Sequence, residues 1–208
     1  MIPKIFIDGG PLMWPILICS IGSCAIFIER FYHFKRATIK LNDFIVELKK
    51  KISNNQFVEA ITYCSETAGP ISAILKGGLV KHDEGRDRVK EAIEDNMIHE
   101  FSRLEKYIPI IATISHVTPL LGLLGTVIGM INAFSIIQLK GGIVNPSELA
   151  GGISEALITT ASGLAVAIPS YMAYSYLVSC VQTFTMQAEK SSTEVVDLIE
   201  KSKKGFKV

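Results

Sequence analysis

Residues 151–170 read GGISEALITTASGLAVAIPS, and Glu155 is the only charged residue between Leu149 and Ala188. The run 156–188 supplies 33 consecutive uncharged residues, more than the roughly 20 that a bilayer-spanning helix needs. This stretch therefore reads as a membrane helix, and that reading decides the fold class. A carboxylate at its head is costly in hydrocarbon, so Glu155 is either a boundary residue or a working one.

Two further windows have the same character. Residues 9–28 carry no charge, and residues 107–139 carry only His116 as an ionisable group besides Tyr107. The expectation is an all-α membrane protein with three transmembrane helices and long helices that extend into a helical cytoplasmic region. The windows at 107–139 and 156–188 each hold 33 residues, about 50 Å of helix against a hydrocarbon core of about 30 Å. They should tilt or project beyond the bilayer. Before the first window Lys4 is offset by Asp8, and Arg30, Lys35, Arg36 and Lys40 follow it, as in an uncleaved anchor rather than a signal peptide.

Charge sets the orientation. Residues 29–106 hold 14 Lys and Arg and the tail 189–208 holds five, whereas 138–148 holds only Lys140. Positive charge marks the inside. The expected layout is an external N-terminus at 1–10, a first span at 11–28 and a cytoplasmic helical region at 29–106. A second span at 107–137, an external loop at 138–148, a third span at 149–181 and a cytoplasmic amphipathic tail at 182–208 complete it.

In the cytoplasmic region, apolar residues recur at helical spacing in three stripes. They are Leu41, Phe44, Ile45, Leu48 and Ile52, then Phe57, Ala60, Ile61 and Cys64, then Ile71, Ile74, Leu75 and Leu79. Asn54-Asn55 and Gly69-Pro70 separate them. A fourth stripe, Val89, Ile93, Met97, Phe101, Leu104 and Ile108, predicts one continuous helix running into the second span. In the tail, Val195, Val196, Leu198 and Ile199 form an apolar face suited to packing on a neighbouring subunit or lying on the membrane, packing being the plainer reading.

Small and polar residues line the membrane helices. Ser115, Thr118, Gly122, Gly125, Gly129 and Asn132 share one face of the second span, and Gly125 and Gly129 form a GxxxG that favours close helix approach. In the third span, Thr159, Ser162 and Pro169 fall within about 40° of Glu155 on the helical wheel, and Thr160 points elsewhere. Asn145-Pro146-Ser147-Glu148 resembles a helix start, which would put Glu155 about 15 Å along the helix. That favours the working carboxylate and leaves the boundary reading open. Pro169 and Pro119 should kink their helices. His116 reads more simply as bonded to a nearby backbone than as a proton relay, and Glu29-Arg30 as an interfacial charge pair.

Several functions are disfavoured. A formal net charge of +1 argues against a nucleic-acid partner. Cys19, Cys24, Cys64 and Cys180 show no CxxC pairing and the four histidines no ligand spacing, so small buried thiols and no metal or other cofactor are expected. No nucleophile–base pair or phosphate loop suggests an enzyme.

GLLGTVIGM at 122–130, preceded by Pro119, and ISEALITTASGLAVAIPS at 153–170 resemble the two signature helices of the ExbB/TolQ/MotA proton-channel family. Three spans, Glu-Arg after the first and a large cytoplasmic loop agree with its ExbB and TolQ branches. The resemblance implies a pentameric ring in the bacterial inner membrane, N-terminus periplasmic and C-terminus cytoplasmic. It implies single-span partners of ExbD or TolR type enclosed by the ring, and a TonB- or TolA-like transducer moved by proton flow. Carried over by motif, Thr126, Glu155 and Thr160 would line the proton pathway, with Thr159 as second choice for the hydroxyl. Gly122, Gly125, Gly129 and Pro169 would serve helix packing. Ser175 stands where a Tyr-Asn pair is frequent in the family.

The function so implied is an ExbB-like ring that energises TonB-dependent outer-membrane import. A TolQ-like motor for envelope integrity and division is the near alternative. A non-conducting membrane scaffold is the alternative from another class.

Overall fold

The structure is a computed structural model that describes residues 6, 8–38, 41–141 and 145–204, without the side chains of 36–38, 41–42, 146–148 and 204. The expected first-turn carboxylate Glu148 and the stripe residue Leu41 thus have side chains outside the described set, as do residues 1–5, residues 142–144 of the expected external loop and residues 205–208 of the expected tail. Among the described residues the regular elements are all helical. They are α1 (Met13–Thr38), α2 (Leu41–Ser53), α3 (Phe57–Glu66), α4 (Pro70–Val80), α5 (Arg86–Glu105), α6 (Ile108–Leu139) and α7 (Pro146–Lys204), with a short 3-10 turn at His82–Glu84.

Three helical stretches, Met13–Lys35, Arg86–Leu139 and Leu149–Lys203, are long and apolar enough to cross a membrane. The chain is an all-α membrane protein. The breakers act where expected. Asn55 adopts a left-handed φ of 59° between α2 and α3, Pro70 opens α4, and α7 starts at Pro146 directly after the non-helical Asn145.

One expectation fails. The predicted continuous helix from the soluble region into the second span is broken between Glu105 and Ile108, with Tyr107 left-handed at φ 71°. Pro109 is the cause. It has no N–H for the Glu105 carbonyl, and its ring would collide with that carbonyl, so the proline ends one helix and sits in the first turn of the next. Pro119 and Pro169, by contrast, lie inside α6 and α7 without interrupting either.

The chain divides into two compact units, one of residues 1–29 with 107–177 and one of 30–106 with 178–208. The second unit is an ordinary apolar core. Leu48, Ile52, Ile74, Leu75, Leu79 and Val195 are fully buried, and Phe34 meets Phe184 with ring centroids 5.8 Å apart. α4, apolar but only 11 residues long, lies against α5, where Gly78 faces Ile93 and the Val89 carbonyl.

The tail packs within its own chain. Val195, Val196 and Ile199 are buried. Around them Lys49 pairs with Glu194, and Arg86 pairs with Asp197 at 2.9 Å and with Glu200. Arg30 is buried, and its guanidinium donates to the Arg103 carbonyl at 3.2 Å.

All four cysteines are free, and Cys24 is exposed while Cys64 is buried. Burial pushes the Cys64 thiol up to about 12, against a smaller opposing pull from Lys76. The thiolate is the reactive form, and at pH 8 this site holds almost none. Alkylation of Cys64 by iodoacetamide at pH 8 should therefore run roughly a hundredfold or more slower in the folded protein than after unfolding. Equal rates, read by mass spectrometry, would mean this core is open.

Candidate functional site

The first unit is built on close contact between α6 and α7. Gly122, Gly125 and Gly129 are buried on one face of α6 with Ser115, Thr118 and Ala133. A Cβ on Gly129 would stand 2.7 Å from both the Ala156 Cβ and the Gly152 carbonyl oxygen. One on Gly125 would stand 2.7 Å from the Thr159 Cγ2, and one on Gly122 3.0 Å from the Thr160 Cα. From α7, a Cβ on Gly163 would stand 2.7 Å from the Thr118 carbonyl oxygen. Contact rises along α6 as it falls along α7, so the helices run antiparallel with backbones in near touch. Asn132, expected on this face, is exposed, and Ala133 fills the place instead. One residue further along turns the helix by about 100°, enough to leave the seam.

Close approach lets side-chain hydroxyls reach the opposite backbone. The Thr160 hydroxyl donates to the Gly122 carbonyl at 2.8 Å. Thr159, 1% exposed, reaches the Gly9 carbonyl at 2.6 Å and the Glu155 carbonyl at 2.9 Å. Thr126, half-buried, donates to the Leu123 carbonyl of its own helix at 2.6 Å. Every one of these hydroxyl protons faces a carbonyl, so each oxygen presents lone pairs, not a proton, to whatever else approaches.

Glu155 is half-buried, nine residues after the start of α7. Its carboxylate lies against Gly10, in the turn that leads into α1, where the Gly10 carbonyl accepts the Met13 N–H at 3.2 Å. Glu155 is thus level with the N-terminal end of α1 within this unit. The structure brings Glu155, Thr159, Gly9 and Gly10 together at one place, and Thr160, Gly122 and Gly163 at the next. Ser162 is half-buried, and Pro169 is exposed within α7.

Two buried polar residues escaped the sequence reading. Ser23 of α1 and Ser170 of α7, 4% and 3% exposed, bond to each other at 2.8 Å. Ser170 lies in the same signature stretch as Glu155. Ser23 sits in the first apolar window, where a serine among Ile, Cys and Gly was the available signal. The His116 ring is bonded through Nδ1 to the Ala112 carbonyl oxygen at 2.7 Å.

A cavity of 960 Å³ belongs to the second unit, lined in part by Phe44, Tyr63, Glu100 and Arg103. None of the expected site residues lines it. Among the described residues no three His, Cys, Asp or Glu side chains converge as metal ligands would.

Residues 66–190 match the model of the MotA/TolQ/ExbB proton channel family. Among known proteins, the putative biopolymer transport protein ExbB-like 1 of Synechocystis sp. is 32% identical over 181 residues, covering 84% of this chain and 69% of the relative. The biopolymer transport protein ExbB of Pseudomonas putida is 28% identical over 91% of this chain and 59% of its own. The Tol-Pal system protein TolQ of Haemophilus influenzae is 45% identical over 82 residues, 39% of this chain and 35% of that protein.

The seam makes a direct prediction. Gly129→Ala should lower the stability of the detergent-solubilised protein by about 1–3 kcal/mol, because the new methyl has no room. Gly151→Ala, where nothing lies within 4 Å of the added carbon, should be close to neutral. Thermal unfolding followed by near-ultraviolet circular dichroism ranks the two, and the reverse order would contradict this packing.

Proposed function

The chain belongs to the MotA/TolQ/ExbB proton channel family, and on that premise we propose that it is the ExbB-type ring subunit of a proton-driven motor that energises TonB-dependent import across the outer membrane. In this reading it lies in the bacterial inner membrane with its N-terminus periplasmic and its C-terminus cytoplasmic. Five copies enclose the single-span helices of an ExbD- or TolR-like partner, and their movement passes to a TonB- or TolA-like transducer. The protein acts as a channel subunit and not as an enzyme.

The observation that carries the reading is the setting of Glu155. It is the only charged side chain in a 40-residue stretch, 149–188, and it stands beside Thr159 on the helix whose sequence carries the family signature. A carboxylate kept within an apolar membrane helix is costly, which favours a working role over a packing one. Thr160 and Thr126, both half-buried, commit their protons to backbone carbonyls, and their remaining lone pairs suit them to accept from a water or a hydrated proton passing along the helix, while the buried Thr159 holds the Gly9 carbonyl beside Glu155. Gly122, Gly125 and Gly129 keep α6 and α7 close enough to hold these oxygens in place. Pro169, exposed in this chain, is available to pack on a neighbouring copy.

A second reading, the TolQ-like motor for envelope integrity and division, draws on the 45% identity to TolQ over 82 residues. One experiment addresses both. The gene is deleted, and wild type or Glu155→Gln is returned at matched membrane levels. The expected result is that wild type restores siderophore-iron uptake while Glu155→Gln leaves it at the level of the deletion strain, because Gln keeps the shape and hydrogen bonding but cannot titrate. Restoration by both would make Glu155 a packing or boundary residue and favour a non-conducting scaffold. Unchanged uptake with detergent-sensitive cells would shift the assignment to the TolQ-like motor.

A further inference from the structure

We infer that the Gly9–Gly10 turn is a positioning element for Glu155, a backbone lid that fixes where the carboxylate lies at the head of α7. The inference deepens the proposed function and rests on Glu155 being its working carboxylate.

Three observations converge on the turn. First, Gly10 is left-handed at φ 70°, a conformation that glycine adopts without the steric cost a Cβ brings. Second, the space a Cβ would take at Gly10 is already filled by the end of the Glu155 side chain. Even the Glu155 Cδ and Cγ would lie only 2.9 and 3.3 Å away, and Oε1 would overlap it outright. Third, the turn is held down at its other residue. The fully buried Thr159, one turn along α7 from Glu155, reaches the Gly9 carbonyl at 2.6 Å.

The segment is pinned on its far side too. Phe6 packs edge-on against Trp14 at 5.8 Å, and the Gly10 carbonyl starts α1 by accepting from Met13.

The turn therefore does more than connect. Thr159 fixes the height of Gly9 above α7, and the missing Cβ at Gly10 leaves a slot that the end of the Glu155 side chain occupies. The Glu155 side chain fills that slot, with its flexibility restricted by backbone on the lid side and by its own helix beneath. Were Gly10 any other residue, the carboxylate would have to leave the slot or the turn would have to lift. Gly9-Gly10 and the pair Glu155/Thr159 lie at opposite ends of the first unit's sequence, and the structure makes them one group.

The test reads how openly the carboxyl group is presented to a reagent that adds to it. Full-length protein in native membrane vesicles is treated with dicyclohexylcarbodiimide, and modification of the Glu155 carboxylate is followed by mass spectrometry over time. Gly10→Ala should raise the rate by at least roughly threefold, above the scatter with which independent sites add. Thr159→Val, which releases Gly9 without adding bulk at Gly10, should raise it as well.

Gly141→Ala is the control. Gly141 has the same backbone hand, φ 61°, but nothing within 4 Å of an added Cβ, so it reproduces the strain without the collision and should leave the rate unchanged. In a Glu155→Asp background the carboxylate is withdrawn by one methylene, and Gly10→Ala should then have a smaller effect on its labelling.

Wild-type labelling in Gly10→Ala, or an equal rise in the Glu155→Asp background, would overturn the inference. The outcome is independent of the Glu155→Gln uptake result. If Glu155→Gln supports uptake, the functional reading falls while the geometry stands. If it does not and the labelling is flat, the lid alone falls.

Discussion

Hydrocarbon offers no hydrogen bonds, and the arrangement of α6 and α7 follows from that constraint. A threonine or serine hydroxyl inside a membrane must find a carbonyl, either one turn back on its own helix or on a neighbour. The first solution is always available, and Thr126, Thr118 and His116 use it. The second requires backbones near enough to touch, which requires glycine. Gly122 serves both needs at once: its lack of a side chain admits Thr160, and its carbonyl accepts the Thr160 hydroxyl. Replace the glycines with larger residues and the cross-helix hydroxyls lose their acceptors before any chemistry is touched.

The same constraint accounts for what the single chain leaves uncovered. Only 17–22% of the residues in the three apolar windows are buried within the chain, so most of the membrane-facing apolar surface is available to lipid or to other copies. Leu120, Leu123, Ile131 and Phe134 on α6 and Leu157, Ile168 and Met172 on α7 are well exposed. In water such a surface would drive aggregation. In a bilayer it costs nothing, and helix association there is decided by small residues and polar contacts instead. The second unit follows the opposite rule: its fully buried Leu, Ile and Val side chains are held by burial from water, and its ion pairs sit at the rim, where they add little.

Much of this was legible in the sequence because two periods and one absence dominate it. Charge-free windows identified the apolar helices, the 3.6-residue stripes located α2, α3 and α4, and Asn-Asn and Gly-Pro marked their ends. The break at Lys106–Tyr107 was missed because the apolar stripe continues straight through Pro109. The stripe reports which residues are buried, and the proline reports whether the backbone can continue; these are different questions. Asn132 was misplaced by a wheel that tolerated one residue of slip, whereas a seam of glycines tolerates none. The contact between Glu155 and Gly10 had no local signal at all, since a positive φ and a contact between residues so distant in sequence are visible only once the chain is folded.

That last contact changes how the opening stretch is understood. On α7 alone, Glu155 is a lone carboxylate in search of a partner, and the natural partner would be a cation. Among the described residues no ion pair holds it: what lies against the carboxylate is the bare backbone of Gly10, and what flanks it is a threonine whose proton is already given to carbonyls. A group so placed is positioned without being neutralised. An ion pair would hold a glutamate charged and resist any proton, and a hydrogen-bond donor aimed at it would do the same to a smaller degree. A backbone lid fixes where the carboxylate lies while supplying neither a cation nor a side-chain donor, so its position and its chemistry are set by different groups.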